Sequence, residues 1–166
     1  MMQEREVLII GGGAAGFFTA INLAEANPDL KITILERGKE VLTKVRISGG
    51  GRCNVTHACH DLDLLLACYP RGGYRLEPIL SRFMPADTVA WFEERGVRLK
   101  TEKDGRMFPV TNSSETIADC LLGEARKLGV EIKTDVRVDS LERSGERFHL
   151  KSREQSFTTS KLLLAT

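Results

Sequence analysis

Two groups of residues in this sequence could do chemistry. The first is Gly11, Gly13 and Gly16, spaced G-x-G-x-x-G, with Glu36 lying 20 positions after Gly16. Gly11 permits a tight turn. Gly13 has no side chain, so backbone N–H groups can approach a pyrophosphate, and Gly16 lets a helix pack closely on a strand. The phosphates then face a helix N-terminus, where unpaired N–H groups and the macrodipole favour negative charge. A carboxylate at Glu36 accepts hydrogen bonds from a ribose diol and repels a 2′-phosphate. These residues alone leave FAD and NAD open.

The second group is Ser48-Gly49-Gly50-Gly51-Arg52-Cys53-Asn54-Val55-Thr56, preceded by Lys44 and Arg46. Glycines expose the backbone, and Lys44, Arg46 and Arg52 add positive charge. Such a loop can wrap a second phosphate or a flavin edge with N–H donors and a guanidinium fork. The competing reading is an ordinary flexible surface loop. Cys53, His57, Cys59 and His60 fall within eight positions. Their spacing is irregular and no second pair accompanies them, so no metal site is expected. Cys53 is open to two readings: a redox thiol beside a flavin, or a small side chain packed under the loop. Asn54-Val55-Thr56 matches a glycosylation acceptor that a cytoplasmic chain does not use.

The remaining reactive residues carry less. Arg106 follows an Asp-Gly turn and is a weak candidate for substrate. His149 alternates with Phe148 and Leu150, which reads as an outward-facing strand position. Trp91 and Phe92 read as helix core. No Ser/His/Asp set and no paired-carboxylate motif is present, so no catalytic residue is assigned.

The elements that must position these groups follow from periodicity. Val7 to Ile10 is a short apolar strand running into the Gly-rich turn, the turn opens a helix, and Lys31 to Glu36 is the second strand. Gly38 to His60 reads as one long functional loop. Helices are predicted over Asp61 to Ala67, over Arg75 to Phe83 and from Pro85 to Gly96. Val97 to Thr101 and Met107 to Val110 flank an Asp-Gly turn, a hairpin signal. Ser113 or Ser114 caps a helix that Gly129 stops. Val130 to Lys133 is a third parallel strand. Arg137 to Leu141, Arg147 to Ser152 and Gln155 to Thr159 predict an antiparallel β-meander. Lys161 to Thr166 reads as a final buried parallel strand. The sum is an α/β, Rossmann-type fold with a parallel sheet, helices and an added meander.

Composition narrows the class. The chain has 166 residues and a net charge of +1, so no bulk electrostatic attraction to nucleic acid or anionic membrane is expected. Residues 7–24 are mostly apolar, but the leader before them is not basic and three glycines interrupt it, unlike a secretion signal. Without such a signal, Cys53, Cys59, Cys68 and Cys120 are expected as reduced thiols in a cytoplasm. A domain ending on the last residue of a buried strand is unusual. The expectation is that residues 1–166 are the N-terminal part of a longer nucleotide-binding domain, with its remainder and a substrate domain beyond. Such a part, taken alone, is expected to hold its cofactor poorly.

The order GGGAAG, LER, SGGGRCNVT, DGRMFPVT and LLLAT resembles the bacterial NAD(P)/FAD-dependent oxidoreductase flavoproteins, whose names include aminoacetone oxidase-like FAD-binding enzymes and a bile-acid-dehydroxylation branch. The resemblance spans essentially the whole chain, and SGGGRCN is its specific part. It implies FAD rather than NAD, with NAD(P)H as a candidate electron donor and a small-molecule substrate. By position, it implies that Gly11, Gly13, Ala14, Ala15 and Gly16 hold the pyrophosphate and that Glu36 and Arg37 hold the adenosine ribose. Lys44, Gly50, Gly51, Arg52, Cys53 and Asn54 would lie along the ribityl and isoalloxazine side. Val136 would use its backbone N–H and C=O on the adenine edge, and Ala165 and Thr166 would approach the cofactor at the sheet end. His57 departs from the pattern, where Asn is expected. The leading reading is a flavin-dependent oxidoreductase. The alternative is a dinucleotide-binding sensing or assembly module without turnover, and a third is a flavoprotein acting on RNA, against which the balanced charge weighs.

Overall fold

The computed structural model describes residues 2–166, with side chains described from Arg5 onward. They form two compact units: residues up to Val45 together with Leu121–Thr166, and Arg46–Cys120.

The first unit is built on β1 (Met2–Ile10), α1 (Ala14–Ala26) and β2 (Ile32–Leu35). β1 and β2 pair in parallel, Val7 beside Ile32 and Ile9 beside Ile34. Val7, Leu8, Ile9 and all four residues of β2 are buried, as strands covered on both faces must be. α1 buries Gly16, Phe17, Ala20, Ile21 and Ala24, a spacing that keeps them on one face.

α2 (Thr43–Gly51) follows. This corrects the expectation of a loop throughout Gly38 to His60. Val41, Leu42 and Val45 are buried, and Leu42 donates its N–H to the Gly12 carbonyl at 2.7 Å. That anchorage supports a helical turn. Irregular backbone begins only at Ser48, where ψ reaches 150°.

The second unit carries β3 (Thr56–His57), α3 (Leu62–Ala67), α4 (Gly73–Leu80), α5 (Pro85–Glu93), β4 (Leu99–Thr101) and β5 (Arg106–Pro109). The three strands form an antiparallel sheet in the order β3-β5-β4. The helix starts follow local chemistry. Asp61 accepts the Leu64 N–H at the head of α3, and Asp87 accepts the Met84 N–H at the head of α5. Gly105 turns the hairpin at φ +83°.

α6 (Ser114–Lys127) ends at Gly129, which sits at φ +74°. β6 (Glu131–Lys133), β7 (Ser140–Ser144), β8 (Arg147–Lys151) and β9 (Ser156–Leu164) complete the first unit. Its sheet runs β6-β2-β1-β9-β8-β7. β9 is parallel to β1 and antiparallel to β8. The third meander segment and the final strand, expected as two, are thus one continuous strand, because Ser160 alone separates Thr159 from Lys161 and one residue cannot make a turn. The expected burial of the last run also needs correction: Leu162 and Leu163 are half-buried and Leu164 is 62% exposed. Leu8, Leu35, Val136, Leu150 and Phe157 form one buried cluster of this unit. Among the described residues, no helix is long and apolar enough to cross a membrane.

Candidate functional site

The Gly-rich turn joins β1 to α1. Gly11 adopts φ +115°, and a Cβ there would stand 2.3 Å from the Ala165 carbonyl oxygen. Both the conformation and the space demand glycine. Ala165 is brought there by β9, and its N–H donates to the Ile10 carbonyl at 2.8 Å. The turn and the end of β9 therefore lie side by side at the carboxyl ends of parallel strands, where open α/β sheets bind ligands. A Cβ on Gly16 would stand 2.1 Å from the Gly11 carbonyl oxygen, so the first turn of α1 rests directly on the loop.

Gly13 differs from both. Its φ of −91° is ordinary, and nothing lies within 4 Å of where its Cβ would be. No side chain caps α1, and its first turn holds no acidic residue. The first intrahelical hydrogen bond runs from Phe17 N–H to the Gly13 carbonyl at 3.1 Å. The N–H groups of Ala14, Ala15 and Gly16 precede it and belong to the helix end, where donors have no partner within the helix.

Glu36 leaves β2 and turns back to this loop. Its Oε2 accepts the Gly12 N–H at 2.8 Å, and its Oε1 accepts the Gly38 N–H at 2.8 Å. A Cβ on Gly12 would meet Val41 Cγ1 at 2.8 Å and Glu36 Cβ at 3.0 Å, so this approach also requires glycine. Each carboxylate oxygen keeps a further lone pair, enough for a vicinal diol. Arg37 is exposed beside it, as are Lys44 on α2 and Thr166.

Val136 is buried and donates its N–H to the Glu36 carbonyl at 2.9 Å. This corrects the expectation that its N–H reads an adenine edge. β2 and β6 are parallel neighbours, and their pairing continues past their ends, where it uses that N–H.

The second unit shapes the Gly-rich loop. Gly49, Gly50 and Gly51 take φ of +56°, +67° and +82°, and Cys53 takes +60°. A Cβ on Gly49 would stand 2.9 Å from the Asn54 nitrogen and 3.0 Å from Phe108 Cε1, whereas Gly50 and Gly51 border open space. Cys53 donates its N–H to the Ser48 carbonyl at 3.0 Å and Val55 to Met107 at 2.9 Å. The Asn54 side-chain amide donates to the Met107 and Thr56 carbonyls at 3.2 and 3.0 Å. Burial pushes the Cys53 thiol up, and its hydrogen bond with Ser48 offsets only part of that. A buried thiol held protonated favours the packing reading over the redox one.

Two of the three expected cations are paired. Arg46 lies on Glu115 at 3.1 Å, and Arg52 donates to Glu102 while stacking 4.0 Å from the Phe108 ring centroid. His57 Nε2 lies 3.0 Å from the Asp104 carbonyl oxygen, and its ring occupies the space a Cβ on Gly105 would need. Arg106 ion-pairs with Asp104 at 2.7 Å, which holds the Asp104 carboxyl below the usual carboxylate range through hydrogen bonds from Arg106. His149 lies 3.3 Å from the Thr158 hydroxyl. Glu102 and Phe108 were not singled out in the sequence. The only signal for them is the Asp-Gly hairpin that carries both. Among the described residues, no three His, Cys, Asp or Glu side chains converge as metal ligands.

A parallel sheet with a Gly-rich turn and an acidic residue closing on it defines a Rossmann-type dinucleotide-binding domain. The chain belongs to the HI0933-like protein Rossmann domain family, which it matches over residues 5–166, a family of FAD-binding flavoproteins. It is 30% identical over 158 residues to the 3-dehydro-bile acid delta(4,6)-reductase of Clostridium scindens, covering 95% of this chain and 37% of that protein. It is 30% identical over 171 residues to the ribosomal RNA dihydrouridine synthase of Haemophilus influenzae, covering 100% of this chain and 41% of that protein. The chain therefore spans about two-fifths of the length of these relatives. Among solved structures, its fold resembles Escherichia coli quinol fumarate reductase FrdA, with a TM-score of 0.75 at 15% identity over 100% of this chain and 33% of that one. A flavocytochrome c3 fumarate reductase gives 0.73 at 20% identity over 99% and 34%. These last two likenesses are of fold.

Proposed function

We propose that this chain binds FAD and serves a flavin-dependent oxidoreductase. The observation that carries the reading is the open space over Gly13, beside a helix end that no side chain caps and no acid neutralises. Those features fit a pyrophosphate, which needs close backbone approach and N–H donors. Gly11 and Gly16 fix the turn, and Ala14 and Ala15 offer their N–H groups. Glu36 binds the adenosine ribose through its remaining lone pairs, with Arg37 beside it, and the Val136 carbonyl meets the adenine edge. Lys44, the loop from Gly50 to Asn54, and Ala165 with Thr166 are assigned to the flavin part on the family resemblance.

Bound FAD supplies hydride transfer, which no side chain can perform; the protein contributes binding, orientation and electrostatics. The substrate we propose is a small molecule, with NAD(P)H as electron donor, in a cytoplasm. The relatives' names support a reaction that saturates a carbon–carbon double bond, since a delta(4,6)-reductase and a dihydrouridine synthase are both so named. The second reading is an RNA substrate. It is favoured by the identity to the Haemophilus protein along this entire chain, and the net charge of +1 weighs against it.

Titration of the purified full-length protein with FAD, followed by quenching of flavin fluorescence, tests the binding. Saturable one-to-one binding that ADP displaces is the expected result. Binding of NAD with no binding of FAD would overturn the assignment. Bleaching of the bound flavin by NADPH, and its reoxidation by an unsaturated ketone or by unmodified ribosomal RNA, separates turnover from sensing and one substrate class from the other.

A further inference from the structure

The second unit contains a clamp whose purpose the local sequence does not explain. Arg52 belongs to the Gly-rich loop, yet its guanidinium is held by residues about fifty positions later. It donates to the Glu102 carboxylate and stacks on the fully buried Phe108 ring. Arg106 comes within 4.0 Å of the same carboxylate and 5.6 Å of the same ring. Glu102 is itself fixed by the hairpin turn. Its N–H donates to the Arg106 carbonyl at 2.8 Å, and its carbonyl accepts the Gly105 N–H at 2.9 Å.

Phe108 serves the loop twice. One edge bounds the space beside Gly49, and its face carries Arg52. Around those contacts Gly49, Gly50, Gly51 and Cys53 adopt left-handed conformations. Such a backbone persists only where its surroundings over-determine it. The hairpin supplies part of that determination, with Phe108 against Gly49 and the Met107 carbonyl accepting from Val55 and Asn54.

We propose that Glu102 is a positioning residue for cofactor binding. It holds Arg52 flat on Phe108, and so fixes the shape in which Gly50 and Gly51 present their backbone. In this arrangement the positive charge of Arg52 is spent on the hairpin, and the loop meets its ligand with N–H groups. This inference rests on the FAD reading above.

The test uses Glu102→Gln, Arg52→Met and the double variant. Amide hydrogen exchange is measured without flavin, and FAD affinity separately. Each single variant is expected to speed exchange of the Cys53 and Val55 amides about fivefold, the scale of a half-exposed ion pair. The Ile9 amide in β1 serves as an internal control and stays unchanged. FAD binding weakens by a similar factor, and the double variant is no worse than Arg52→Met alone, because both changes remove one interaction. Unchanged Cys53 exchange in Glu102→Gln, or additive effects in the double variant, would overturn the proposal. Failure of the unaltered full-length protein to bind FAD would instead overturn the flavin reading, since the exchange result does not depend on flavin.

Discussion

The Glu36 carboxylate accepts the backbone N–H of Gly12 at 2.8 Å, and through this bond the acidic residue of the fingerprint is locked to the glycine turn. The bond fixes the rotamer of Glu36, and Gly38 fixes its other oxygen. A ribose would find its acceptors already aimed, so little side-chain entropy is lost on binding.

Replacing Glu36 tests this arrangement. Glu36→Ala should weaken FAD binding by about 1–3 kcal/mol, the loss of charge-assisted hydrogen bonds. A fluorescence titration with unchanged affinity would remove Glu36 from the ribose site.

The glycines of the turn should separate into two kinds. Gly13→Val meets nothing within 4 Å at its first added carbon, so the protein should fold with an unaltered melting temperature and lose its flavin. Gly16→Ala drives a methyl onto the Gly11 carbonyl and should lower stability by about 1–3 kcal/mol. A Gly13→Val protein that still purifies yellow would contradict the pyrophosphate assignment.

The four thiols should react in order of access. All four cysteines are free, Cys68 is exposed and Cys53 is buried, and burial keeps the Cys53 thiol protonated above the usual range. Alkylation of the native protein near pH 8, followed by peptide mass spectrometry, should label Cys68 early and Cys53 last. Thiol titration after denaturation should count all four. Early labelling of Cys53 would favour a reactive thiol over a packing one.

Acid should weaken the first unit through Glu131. Burial pushes its carboxyl up, but hydrogen bonds from Lys133 and Thr33 and the charges of Arg5 and Lys133 outweigh this and leave it below the ordinary glutamate value. A depressed carboxyl stabilises the fold above its unfolded pKa, and that contribution disappears as pH falls through the folded pKa. Glu131→Gln should therefore melt below the unaltered protein at pH 7, and the gap should close under acid conditions below the ordinary glutamate range. A gap that persists at the lowest pH would mean that its charge is not what stabilises.

The turn between β1 and α1 was legible in the sequence because each of its residues acts within a few positions of its neighbours. Gly11 and Gly16 make the tight turn and the close helix contact their spacing implied, save that Ala165 supplies the wall against Gly11, and Glu36 closes on that turn. The Asp-Gly hairpin, the Asp61 cap and the Gly129 stop were legible for the same reason. α2 was not, since Gly and charged residues hid an anchorage through Val41, Leu42 and Val45 that exists only once they are buried. The fusion of the last two strands into β9 depends on simultaneous pairing with β1 and β8, which no local pattern encodes. Glu102, Phe108 and the seat of His57 on Gly105 escaped because their partners lie about fifty positions away. The spent N–H of Val136 escaped because pairing runs past the strand ends.

β9 also decides when the first unit can be finished. Its partner β1 is synthesised well before it, and Met2 pairs with Ser156 while Ile10 pairs with Leu164. At about 5–20 residues per second, the ribosome needs on the order of ten to thirty seconds to make the residues between them. Throughout that interval one hydrogen-bonding edge of β1 lacks its native neighbour, whereas Arg46–Cys120 is continuous in sequence and complete long before β9 exists. Nascent chains of this protein thus carry an open apolar strand edge from the time β1 emerges until β9 is made. Pairing across so long a separation is intrinsically slow, so closure of the first unit is expected to follow that of the second.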